Sequence, residues 1–139
     1  MNTQRLIRGG LIAGLVIFLG DYVMNHLLLG ADWHPLYLSG YLQHVKPYTI
    51  PVIGLMDFGV GFMLMWLYAF ARPRLGPGPK TALTMASIAW FLFFVPRAMD
   101  QWMWYQVPLK IPVVYFFAGL LECWIATYLA GWQYIEKAP

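Results

Sequence analysis

The acidic side chains fall where an apolar chain should have none. Asp57 closes GLMD at 54–57 and Glu122 closes GLLE at 119–122, each downstream of a related phrase, PYTIPV at 47–52 and PLKIPV at 108–113. Asp57 follows Pro51 by six residues, and Glu122 follows Pro112 by ten. Four extra residues are close to one helical turn, so both carboxyls keep a similar face while Glu122 sits roughly 6 Å deeper. Asp21, Asn25, Arg97 and Asp100 are set into other apolar runs. Such groups suit two tasks: exchange of protons or small cations, or hydrogen bonds that lock helices together.

Other chemistries find no support. Carboxylates and Asn25 are hard oxygen donors, whereas zinc prefers nitrogen and sulfur, and no H-x-x-E-H, H-E-x-x-H or E-x-x-H pattern occurs. Only His26 lies near the acids; His34 and His44 fall in a loop, and the later apolar runs hold no histidine to ligate a haem. We therefore expect neither a metal site nor a cofactor. Cys123 is the single cysteine, which excludes an intrachain disulfide or a CxxC pair. Neither G-x-S-x-G nor a phosphate loop is present, so no catalytic residue is assigned and a non-enzymatic protein is expected.

Composition fixes the setting. Of 139 residues, 60% are hydrophobic and 11% charged, against about a quarter charged in soluble domains. Four apolar runs, near 6–29, 50–71, 81–105 and 111–135, each exceed the roughly 20 residues that cross a bilayer core. The prediction is an all-α, antiparallel four-helix transmembrane bundle forming one domain over 1–139. The first run reads as a span and not as a cleaved signal peptide, because it is long and contains Asp21 and Asn25. Arg5, Arg8, Arg72, Arg74, Lys80 and Lys137 fall on one side, and Lys46 and Lys110 on the other. The positive-inside rule then puts both termini and the 72–80 loop in the cytoplasm. The net charge of +3 reflects this topology and contact with lipid headgroups, and gives no reason to expect nucleic acid.

In RPRLGPGPK (72–80), Pro73 should stop the second helix, Gly76-Pro77-Gly78 turn the chain, and Pro79 open the third helix. The longer loop at 30–49 carries aromatic residues suited to the headgroup region, and LYLSGYLQHVK (36–46) reads either as a short interfacial helix or as an irregular segment. The paired phrases, with a fainter echo between FLGDYVMN (18–25) and FFVPRAMD (93–100), suggest two parallel αα-hairpin repeats; chance matches in apolar sequence are the other reading.

Helical spacing places Gly10, Gly14, Phe18, Asp21 and Asn25 on one face, and Gly54, Asp57, Gly61 and Leu64 on another. The third run gives Ala86, Trp90, Phe93, Arg97 and Asp100 or Gln101; the fourth gives Tyr115, Gly119, Glu122, Ala126 and Ala130. Small residues beside the acids mark close helix contact, so the acids should face protein. A single polar cluster of Asp21, Asn25, Asp57, Arg97, Asp100 and Glu122 is expected in the outer half, with Arg97 pairing most simply with Asp100. Trp90, Trp104 and Tyr115 are candidate aromatic walls for a cation.

YAFARPRLGPGPKTA (68–82), DYVMN (21–25) and MDFGVG (56–61) resemble small uncharacterised four-helix bacterial integral membrane proteins. The likeness covers most of the chain and implies topology and an inner-membrane location, with no activity attached. Small multidrug transporters are of similar size but use one carboxylate in the first helix, a pattern that acids spread over four spans do not match. Two functions follow as expectations. One is an accessory subunit of a larger membrane complex or a structural protein, held by the cluster. The other is a proton- or cation-coupled carrier for a small cationic or amphipathic solute, acting as a homodimer. Membrane lipids are the expected partners in either case.

The topology is checked by cysteine labelling in a Cys123→Ser background. Ser39→Cys should react with a membrane-impermeant maleimide on intact cells, and Pro77→Cys only with a permeant one.

Overall fold

A computed structural model describes residues 2–42 and 46–134. His44 and Lys137 lie outside the described residues. Helix α1 spans Thr3–Tyr22 and continues without a break into a π-helical turn, Val23–Leu28. A short helix α2, Gly30–Leu38, follows; α3 is Thr49–Leu75, α4 Pro79–Trp104 and α5 Lys110–Trp132. Every regular element among the described residues is helical. The spans Thr3–Leu28, α3, α4 and α5 are long and apolar enough to cross a bilayer, which makes this a multi-pass membrane protein.

Local chemistry sets the helix ends. Asn2 caps α1, its side chain accepting from the Arg5 backbone N–H at 3.2 Å. The paired phrases become equivalent helix starts, since α3 and α5 both place proline at the third position, Pro51 and Pro112, where a missing N–H has no partner to lose. Pro73 does not stop α3 as expected. A proline at 73 forfeits only the bond to residue 69, and the helix runs on to Leu75 before Gly76, at φ +82, ends it. Gly78 N–H then donates to Tyr68 Oη, and Thr81 Oγ1 donates to the Gly76 carbonyl at 2.7 Å, tying the turn to both helices it joins.

The loop helix falls earlier than the 36–46 stretch, which reads either as a short helix or as an irregular segment and of which 43–45 lie outside the described residues. Asp32 sits in the first turn of α2, where the helix dipole favours an acid, and is paired with Lys110 at 2.6 Å. Gly40 at φ +75 follows the helix end. Trp33 and Leu36 of α2 pack on Met24, Leu29, Ile111 and Tyr115, a small apolar cluster at this end of the bundle.

The most extensive interfaces are α1 with α3 and α4 with α5, the two hairpins expected from sequence; α1 also packs on α5, and α3 touches α4 less. Between α1 and α3 the backbones are nearly in contact. A methyl group at Gly61 would meet the backbone of Gly14 and the Ala13 carbonyl carbon, the latter at 2.8 Å. Ala13, Ile17, Leu64, Met65, Ala86, Ala126 and Ala130 fill the main core below this level. The opposite faces, for example Leu55, Phe91 and Phe117, are exposed and suit lipid.

Gly61→Ala should therefore lower stability in detergent by about 1–3 kcal/mol through overpacking. Gly59→Ala, with open space at its Cβ position, should be neutral or stabilising in the same unfolding assay.

Candidate functional site

Between the two apolar clusters lies a layer of carboxyl groups. Asp21 from α1 and Asp57 from α3 lie within electrostatic reach of each other and of Glu122. One oxygen of each, Asp21 Oδ1 and Asp57 Oδ2, is buried with no donor. Glu122 comes from α5, and neither of its carboxyl oxygens has a hydrogen-bond partner. Asp57 and Glu122 are each only 6% exposed. The Glu122 carboxyl rests against Gly20 of α1, where an added methyl would come within 2.7 Å of its Cδ. Gly20 was not among the residues singled out in sequence; the contact depends on how deep α5 sits against α1.

The π-helical turn arranges the rest. Leu29 N–H bonds to the Met24 carbonyl at 3.0 Å, and in the same stretch Asn25 Nδ2 donates to the Asp21 carbonyl at 2.9 Å. Asn25 Oδ1 in turn accepts from the Tyr115 hydroxyl of α5. Turns of this kind often occur at functional sites, because the widened ladder re-aims side chains. Here it connects the backbone of one acid to α5, the last of the four spans.

Arg97 differs from expectation. It is exposed, its guanidinium stacks over the Tyr115 ring at 4.6 Å, and no carboxylate among the described residues lies within ion-pair distance. It acts through space on Asp21, Asp57 and Glu122. Asp100 is exposed as well and stands outside the carboxyl layer. The cause is the step taken along α4. Ala82, Ala86, the half-buried Trp90, Phe94 and Ala98 follow one another at four residues, so the buried face passes through Phe94 and Ala98 and not through Phe93 and Arg97. Phe93, Arg97 and Asp100 are thereby turned away, and Gln101 inward, with Oε1 buried and without a partner.

The aromatic candidates separate. Tyr115 is buried and touches both Asn25 and Arg97. Trp90 instead donates to the Phe116 carbonyl at 2.8 Å and meets that ring edge-on. Trp104 is 76% exposed at the helix end. His26 is exposed and stacked on Tyr22, and Cys123 is buried and free. Among the described residues no three His, Cys, Asp or Glu side chains converge as metal ligands.

No family model, curated protein or solved structure matches the chain.

Tyr115→Phe should cost about 0.6–1.7 kcal/mol, the range of interhelical hydrogen bonds in membranes. In a double-mutant cycle with Asn25→Ala the losses should be non-additive; additive losses would show that the bond carries no coupling energy.

Proposed function

We propose that the protein is a non-enzymatic, proton- or cation-coupled carrier of the bacterial inner membrane, with both termini cytoplasmic and the carboxyl layer as its coupling site. The single observation that carries this reading is the state of the buried acids. Asp21 and Asp57 are electrostatic neighbours on two helices, Asp57 and Glu122 are buried, and Glu122 offers two unpartnered oxygens. A buried polar atom without a partner is expensive, and evolution retains such expense at functional sites.

The competing reading, an accessory or structural protein held together by these residues, fits less well. A network built to hold helices gains from complete hydrogen bonding, and a half-satisfied one is poorer than an apolar core. The Asn25–Tyr115 bond, with the Asn25 bond to the Asp21 carbonyl, fits a purely structural purpose. Between a proton and a metal ion, the absence of three convergent ligands among the described residues favours the proton. Catalysis is not proposed, because no nucleophile has a base beside it: Ser87 Oγ accepts from Trp124 Nε1 and Cys123 is enclosed among apolar side chains.

The test is proton flux into proteoliposomes. Asp57→Asn and Glu122→Gln should each reduce flux by about tenfold or more, as expected when an intramembrane ionisable group carries function, while thermal stability stays at or above that of the parent. Lower stability in the variants with no flux in the parent would instead establish the structural reading.

A further inference from the structure

The charged groups around this layer also restrict what it can carry. Helices α3 and α4 are joined by a tight turn yet contact each other less than α1 does α3 or α4 does α5. At the end nearer α2 both helices carry exposed side chains. Ile50, Leu55 and Met56 of α3 are 62%, 76% and 65% exposed, and Phe93 and Arg97 of α4 are exposed too. The Arg97 guanidinium lies in this region, over the Tyr115 ring, with no hydrogen-bond acceptor among the described residues. Within its electrostatic reach are Asp57 and Glu122, nine-tenths buried, with Asp57 Oδ2 and both Glu122 oxygens lacking a donor.

A guanidinium without an acceptor and carboxyls without a donor, in one place, describe a ligand with both signs of charge. A simple cation would be drawn to the acids but repelled by Arg97. A simple anion would suit the fork of Arg97 yet meet three carboxyl groups behind it. We propose that this is a binding site for a zwitterion bearing a phosphate or carboxylate and a protonated amine. Arg97 takes the anionic group in bidentate fashion, and Asp57 with Glu122 accepts the ammonium N–H bonds. Tyr115 supports the guanidinium from beneath and orients it. The inference rests on the carrier reading above and names its substrate class. Two sources share this chemistry: an aminophospholipid headgroup entering sideways from the bilayer between α3 and α4, or a free aminophosphate or amino acid from water.

The experiment measures binding to the purified full chain in detergent by native mass spectrometry, using three probes. Short-chain phosphatidylethanolamine carries both charges on a lipid, short-chain phosphatidylglycerol lacks the amine, and O-phosphoethanolamine lacks the acyl chains. We expect phosphatidylethanolamine to bind in preference to phosphatidylglycerol, and Arg97→Gln and Glu122→Gln each to weaken it by about tenfold, as for loss of a charge-assisted pair. Asp100→Asn should leave it unchanged. Binding of O-phosphoethanolamine as well would support the site with an aqueous ligand, and its failure alongside phosphatidylethanolamine binding would support the lipid. Equal binding of the two lipids, or undiminished binding by both Arg97→Gln and Glu122→Gln, would overturn the inference. Arg97 is exposed, so its variant should fold, and melting temperature confirms this. Proton flux in liposomes free of zwitterion keeps the two ideas apart. Flux without zwitterion binding removes only this inference, whereas absent flux removes the coupling reading and leaves the binding result to judge the site.

Discussion

A carboxyl group inside a bilayer has to be kept from lipid, and that one requirement accounts for much of this structure. Hydrocarbon offers no hydrogen bonds, so the cost of an ionisable group there falls only if protein surrounds it. Asp21, Asp57 and Glu122 come from three helices and lie in one layer, with alanine-rich packing below and a small cluster of Met24, Leu29, Ile111 and Tyr115 above. Glycines make the enclosure possible. Gly14 and Gly61 bring α1 against α3, and Gly20 leaves room for the Glu122 carboxyl. Van der Waals contact of this closeness is the main attraction between helices where lipid is as apolar as leucine.

The layer is enclosed unevenly. On the α1 side a π-helical turn, Asn25 and the Tyr115 hydroxyl supply a bonded frame. On the α4 side the closing residue is an exposed arginine resting on an aromatic ring. The carboxyls thus have hydrogen-bonded support on one flank and an arginine without an ion-pair partner among the described residues on the other. Arginine suits such a position because its planar group is weakly hydrated and stacks well, which lysine would not do.

Much of the frame was legible in the sequence for simple reasons. Span number and approximate ends follow from run length, and the buried faces of α1, α3 and α5 follow from glycine and alanine at helical spacing. Gly61, Gly119 and Ala126 are buried as that spacing requires. The face of α4 was not legible beyond Trp90. Steps of three and of four residues both continue a helical face, and Phe93 and Phe94 are equally apolar. The position of Arg97 and the exposure of Asp100 follow from the step to Phe94. Pro73 misled because a proline near a helix end costs less than one in its middle. The π-helical turn left no sequence signal, and the Asn25–Tyr115 bond depends on it together with the depth of α5.

The equivalent starts of α3 and α5 have a further bearing. Both helices begin two residues before a proline, but Asp57 is eight residues from its start and Glu122 twelve, a difference of about 6 Å in height. The two carboxyls are thus set at unequal depths, with Asp57 one helical turn nearer the α2 end. Two phrases that look alike in sequence begin their helices alike, yet bury their acids on different levels of the bundle.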